Sequence, residues 1–331
     1  MGERGLLDLI VARLPGLSPR ERICLCASME AEDELIRKSR QDTERLIGRR
    51  HAARWDLDLV RMLAERDAGQ ALRSRMGWVS WRSPDYPPLL REIYDPPAVL
   101  FYRGSLPDSE KPLVAIVGTR KPSPRAAAQT FDVARSLGRG GVSVVSGLAA
   151  GVDAMAHRGS MEGGARTFAV LGSGVDEVYP ASNRALARRV LETGGALLSE
   201  YPPGTGPRKW HFPARNRIIS GLCRGVLIAE APEKSGALIT ARFALEQNRE
   251  LWVASAGTNG AEQGCAVMFD RRGTQRLAED GAEIVYSALD ILKMWNMETP
   301  EPELGADSGG TPRAAALAGA SSLACSLGIT L

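Results

Sequence analysis

From Leu113 onward one pattern repeats along the chain: a short apolar run, a turn containing glycine, and a stretch with apolar residues at helical spacing. The runs are LVAIVG, VSVVSG, TFAVLG, ALLSEY, GVLIAEA, LWVAS and EIVY. A strand that is apolar on both faces must be covered on both faces, and parallel neighbours need a crossover connection. Residues 113–296 are therefore predicted to form an α/β domain, a mostly parallel sheet with helices on both faces. In such open sheets, ligands bind beyond the carboxyl ends of the strands, where loops and helix N-termini present N–H groups.

The flanks read differently. Residues 1–76 show short amphipathic helices and no strand signal, which predicts a small N-terminal all-helical domain of the SAM or helix-hairpin-helix kind. Its Leu14–Pro19 segment suits either a hairpin loop that approaches a DNA phosphate or an ordinary helix–helix turn. Residues 77–112, rich in proline and aromatic side chains, are expected as an extended linker or arm. The 297–331 tail shifts to Pro, Gly, Ala and Ser and is expected to be disordered, without a second folded domain.

Several function classes are disfavoured. The N-terminus lacks the pattern of a signal peptide, and no apolar stretch reaches the roughly 18 residues of a spanning helix, so a cytoplasmic protein with no membrane association is expected. Five scattered cysteines without a C-x-x-C pair and only three histidines argue against a metal centre, a disulfide framework or a Ser-His-Asp triad. Neither G-x-G-x-x-G after the first strand nor G-x-x-x-x-G-K-[ST] occurs, so no nucleotide cofactor is expected. This is a Rossmann-like shape without a Rossmann cofactor signature.

The net charge is only +3, but basic residues cluster locally. Two stretches hold no Asp or Glu: 111–131, with Lys111, Arg120, Lys121 and Arg125, and 201–229, with Arg208, Lys209, Arg215, Arg217 and Arg224. Small-residue turns follow four of the predicted strands: Gly118-Thr119-Arg120-Lys121, Ser146-Gly147, Gly172-Ser173-Gly174, and Ser235-Gly236 with Thr240. Together with neighbouring arginines they suit several phosphates in a row, hence an oligonucleotide. Each turn alone equally fits a strand exit. The run from Trp210 to Leu222 (WHFPARNRIISGL) combines aromatic faces for stacking on bases with guanidinium forks for phosphates. Its arginines fit equally well as partners of internal carboxylates such as Glu200 or Glu230. Asp153 and His157, at i and i+4, read as a helix-stabilising hydrogen bond rather than an acid–base pair. Glu200 and Glu230 are the carboxylates best placed for any hydrolysis.

The runs VAIVGTRKPSP, VVSGLAAGVDAMAHRGSMEGGARTFAVLGSGVDEVYPASN, GGALLSEYPPG, FPARNRIISGL and SGALITARFALEQNRELWV resemble the DprA/Smf (DNA-processing) family over about residues 90–290. The resemblance implies an extended Rossmann-like domain that binds single-stranded DNA, forms homodimers, protects incoming DNA and loads the RecA recombinase in natural transformation, with no established catalytic activity. Arg120 resembles the family's principal DNA-contacting arginine. Phe212, Arg215, Asn216 and Arg217 match its FP-x-RNR element, Asn183 closes its YP-x-x-N element, and the glycine turns match its phosphate-facing loops. Ala181 and Ser182 stand where the family often carries a lysine, and Ala256-Gly257 where it has proline-glycine before a shorter loop. The small winged helix that ends many members is expected to be absent here.

Two other functions remain open on the sequence. A nucleotide N-glycosidase on a related domain would use a P-G-G-x-G-T-x-x-E loop, but Lys234–Thr240 here reads KSGALIT, without the double glycine. The other is a nucleotide-sensing module on a related Rossmann-like domain, which signals by binding a mononucleotide.

Overall fold

The computed structural model describes residues 3–51, 53–258 and 269–298. The tail and most of the long loop after Gly257, on which two of the expectations bear, lie outside the described residues. Five helices come first: α1 (Glu3–Arg13), α2 (Pro19–Ala27), α3 (Glu32–Arg37), α4 (Arg40–Ile47) and α5 (Leu57–Arg73). Then follow β1 (Met76–Ser80), α6 (Pro88–Arg91), β2 (Val99–Gly104), β3 (Leu113–Val117), α7 (Pro124–Arg139), β4 (Ser143–Ser146), α8 (Val152–Glu162) and β5 (Thr167–Val170). The rest is α9 (Arg184–Glu192), β6 (Ala196–Ser199), α10 (His211–Gly221), β7 (Gly225–Ile228), α11 (Gly236–Glu246), β8 (Glu250–Ala254), α12 (Arg272–Glu279), β9 (Glu283–Val285) and α13 (Ala288–Met294). Each of the seven apolar runs is a strand, in a Rossmann-like α/β fold with a helical N-terminal part.

The sheet order is β1-β2-β6-β5-β4-β3-β7-β8-β9. Strands β3 to β9 pair in parallel, and β1 and β2 run antiparallel at one edge. Continuous apolar strands bury both sides, as the sequence demands. Val114, Ile116 and Val144 meet Val133 and Leu137 of α7 and Ile291 and Leu292 of α13 on one face. Ala115, Val117 and Val145 meet Ile218 and Ile219 of α10 and Ala241 of α11 on the other. The N-terminal helices share a third cluster with the sheet: Leu7, Ile10, Leu14 and Leu25 pack in one core with Val99, Phe101, Leu171 and Leu197.

Residues 77–112 differ from the expected arm. Met76–Ser80 pairs with Val99–Arg103, and β2 in turn pairs with β6, so the sheet begins at Met76 rather than Leu113. Prolines between the two strands obscured the alternation, yet Phe101 and Tyr86 are buried and the Tyr86 hydroxyl donates to the Pro97 carbonyl at 2.8 Å.

The Leu14–Pro19 turn is braced from its carbonyl side. Arg22 donates to the Leu14 oxygen (3.1 Å), Trp55 to Pro15 (3.2 Å) and Arg49 to Gly16 (2.8 Å). Ser18 and Glu21 form a reciprocal capping box with Pro19 at the first helical position, which starts α2. Arg49 also clamps the Glu21 carboxylate and holds it at about 2.

Asp153 and His157 on α8 take separate partners, so the hydrogen bond expected between them is not formed. Asp153 accepts the N–H groups of Gly147 and Ala149 at 3.1 and 3.2 Å. His157 is fully buried, with Nδ1 at 2.7 Å from the Thr167 hydroxyl, which itself donates to the Val144 carbonyl. Nδ1 therefore carries the proton, and Nε2 is left without a partner. Burial, aided by Arg215, lowers the imidazole from 6.5 to about 3. The folded value lies below the unfolded one, so this ring's contribution to stability is present above pH 6.5 and is lost as the pH falls toward 3. His157→Asn keeps an N–H facing Thr167 but cannot titrate. We expect its urea-unfolding free energy to fall less between pH 6.5 and 4 than that of the wild type, and equal pH slopes would show that another group titrates.

Candidate nucleic-acid interface

Three strand exits and one helix start converge at the carboxyl edge of the sheet. They enclose a pocket of about 130 Å³. The turn after β3 contributes Arg120, and the loop after β4 contributes Gly147, Ala149 and Ala150. The loop after β5 contributes Tyr179, Pro180 and Ser182, and α10 contributes Phe212 and Arg215. No carboxylate lines it.

Close packing dictates the small residues. A Cβ at Gly147 would collide with the Arg215 guanidinium, and one at Gly172 would reach the Phe212 ring at 2.9 Å. Gly151, at φ +78, lies against the backbone of Thr119 and Arg120, and Val152 N–H donates to the Thr119 carbonyl at 3.1 Å. Leu148 takes a left-handed conformation (φ 58) that costs a non-glycine residue about 1–2 kcal/mol. Two neighbours hold it there: Asp153 on the flanking N–H groups, and Asn183, which donates to the Leu148 carbonyl at 2.9 Å.

Arg215 is the buried floor of the pocket. Its Nη1 donates to the carbonyls of Gly147 (2.8 Å) and Val170, and its Nε to Asn216 (3.1 Å). Burial lowers its pKa, the nearby Asp153 raises it, and Arg120 across the pocket lowers it again. Two like charges thus face one cavity, an arrangement that an entering anion relieves. The wall beside them is aromatic: Tyr179 and Phe212 are tilted at 45° with centroids 5.4 Å apart, and the Arg215 guanidinium lies 6.0 Å from the Phe212 centroid.

The remaining residues singled out in the sequence distribute unevenly. Lys121 is exposed beside Arg120, its N–H bonded to the Thr119 hydroxyl at 3.2 Å. Gly118 is wedged between Val152 and the Glu230 carbonyl. Ser146 and Ser173 are buried with hydroxyls on the Ile116 and Glu177 carbonyls, and Gly174 packs beside Asp176 and Pro202. Ser235 caps α11, Gly236 is exposed, and Thr240 is buried. The fourth turn therefore stands outside the pocket. Asn216 donates to the Gly236 carbonyl (3.1 Å) and holds the start of α11 instead of facing solvent.

Arg217 is the clearest departure from the expected phosphate contact. Its side chain is 4 % exposed and forks onto both oxygens of Glu200 at 2.8 and 2.7 Å, while Nε reaches the carbonyl and carboxylate of Asp95. Burial opposes its charge, but Glu200 and Asp95 outweigh burial and raise its pKa. Glu230 is similarly engaged, by Arg271 at 2.6 Å and the Ser123 N–H at 2.6 Å. In strand order these pairs, after β6 and after β7, stand on either side of the β5-β4-β3 exits that make the pocket. Both candidate hydrolytic carboxylates are thus committed to protein partners. Tyr179, Ala149, Ala150, Pro180 and Ser182 were not singled out as site residues, and only the aromatic ring beside a proline offered a signal.

Among the described residues no group of three or more His, Cys, Asp and Glu is placed to hold a metal, and no helix is long and apolar enough to cross a membrane.

A family described as DNA recombination-mediator protein A matches residues 78–296. The Smf protein of Synechocystis is 45% identical over 213 residues, which cover 63% of this chain and 51% of that protein, so the match spans about half of its length. The DNA processing protein DprA of Streptococcus pneumoniae is 42% identical over 208 residues, or 62% of this chain and 70% of that protein. The X-ray structure of the S. pneumoniae protein superimposes with a TM-score of 0.68 at 33% identity, covering 87% of this chain and 97% of that one. DNA processing protein A of Helicobacter pylori, solved for its single-stranded DNA binding mode, gives a TM-score of 0.56 at 28% identity, covering 67% and 96%.

Removing one partner of a buried pair leaves the other charge uncompensated, at about 3–5 kcal/mol. Arg217→Ala is therefore expected to lower the unfolding free energy by about that amount. A variant that unfolds like the wild type would return Arg217 to the surface.

Proposed function

The chain belongs to the DNA recombination-mediator protein A family, and from that premise we propose that it binds single-stranded DNA at the pocket between Arg120, Arg215, Tyr179 and Phe212. One observation carries the reading: a cavity with two facing guanidinium groups, an aromatic wall and no lining carboxylate. The arginines pair with phosphate oxygens, and the rings stack on bases exposed only in an unpaired strand. Exposed Lys121, Arg208 and Lys209 extend the positive surface, and the H. pylori relative's described binding mode supports the choice of ligand.

The engagement of Glu200 and Glu230 by arginines supports a binding role rather than hydrolysis. We place the protein in the cytoplasm as a homodimer that protects incoming strands and loads the RecA recombinase onto them. Neither reading depends on a metal or a nucleotide cofactor.

Affinity for an oligothymidylate should exceed that for duplex DNA of equal length and should fall steeply with salt. Arg120→Ala should weaken binding about 10- to 100-fold, the worth of a charge-assisted hydrogen bond, and lower the salt slope by about one. Its melting temperature should not change, because Arg120 is exposed. Equal affinity for duplex and single strand would overturn the proposal, as would free base released from nucleoside monophosphates.

A further inference from the structure

Beside the pocket, one large aromatic side chain is unexplained by packing. Trp210 is 66% exposed. Buried tryptophans in this chain show the alternative, since Trp252 and Trp295 pack against each other at 5.8 Å beneath the sheet. Trp210 is instead held at the surface by its neighbours. It ends the loop that leads into α10, two residues before Phe212, and meets His211 edge-on at 6.0 Å. His211 is itself fixed, stacked on Tyr201 at 3.8 Å and bonded to the Gly172 carbonyl at 3.0 Å. The Arg208 guanidinium lies 5.7 Å from the indole centroid.

We propose that Trp210 and Arg208 form a second base platform, outside the pocket, which stacks the nucleotide adjoining the one held against Phe212. The proposal rests on the single-strand reading above and adds a place on the strand's path. Three observations support it. Trp210 is the N-cap residue of α10, so it stands between the exposed Arg208–Lys209 pair and the pocket residue Phe212 at the open end of that helix. The stretch 201–229 contains no acidic residue, and Arg208, Lys209 and Trp210 are exposed together in it. A tryptophan with a cation over its ring is already positioned, so stacking loses little side-chain freedom. Stacking on an aromatic ring tolerates any base, which suits a protein that meets strands of arbitrary sequence.

The test titrates the full chain with oligothymidylates of graded length and reads both affinity and tryptophan emission. Binding of the longer oligomers should quench emission, and Trp210→Ala should weaken their binding by about 5- to 150-fold, the worth of one stacked base. The loss should shrink for oligomers short enough to fill only the pocket. Trp210→Phe should recover part of the affinity while removing the quench. Melting temperatures should not move, because the ring is exposed. If Trp210→Ala binds every length like the wild type while Arg120→Ala is weakened, the platform is refuted and the pocket reading stands. Loss of self-association in Trp210→Ala with unchanged DNA affinity would reassign the ring to a protein contact and also refute the platform. Failure of the wild type to bind any single strand at low salt would instead refute the reading beneath it.

Discussion

A guanidinium buried among backbone carbonyls holds the pocket edge of this sheet together. Arg215 reaches from α10 to the carbonyls at the ends of β4 and β5, while Asp153 of α8, bonded to N–H groups of the same loop, favours its charge against burial. A buried arginine without such partners would cost several kcal/mol, so these groups select one another. Gly147 follows from this arrangement, because any side chain there would displace the guanidinium. The left-handed turn at Leu148 follows as well, since Asp153 fixes the N–H groups on either side of it. The pocket's floor, one of its two positive charges and the shape of the loop after β4 thus come from a single side chain and its partners.

The position of the pocket is set by a second device. A sheet whose order reverses next to β3 normally leaves a ligand crevice between β3 and β7. Here Glu230 closes it: its carbonyl accepts the Thr119 N–H at 2.8 Å, and its carboxylate takes the Ser123 N–H and Arg271. The opening moves toward β4 and β5. Glu200, on the far side, is neutralised by Arg217 in the same manner. Arginine pairs at both flanks therefore remove negative charge from the vicinity of a cavity that keeps Arg120 exposed.

The FP-x-RNR element shows how far a sequence motif can be read. Its composition fits stacking and phosphate pairing, yet its three polar residues each secure a different junction: Arg215 the sheet edge, Asn216 the start of α11, and Arg217 the 95–97 loop and the end of β6. Only Phe212 and Arg215 also face the pocket. Guanidinium chemistry is the same toward a carboxylate and a phosphate, so residue type alone cannot tell an internal partner from a ligand. Residues 77–112 were obscure for another reason. A strand is recognised by uninterrupted alternation, and two strands divided by a proline-rich excursion look like an arm until their pairing is seen.

By itself the sequence determined the parallel sheet, the helices on both faces and the edge where a ligand can sit. These follow from local periodicity: apolar runs that must be buried on both sides, and glycines where strands turn into helices. It also located the cations, because two long stretches lack any acidic residue. Tertiary structure decided which of those cations remain available. Arg120 points outward from a short turn, whereas Arg217, in an equally basic stretch, meets Glu200, just past the end of a strand 17 residues earlier, and Asp95 from a loop 122 residues away. Burial and pairing depend on elements distant in the chain, and no local pattern encodes them.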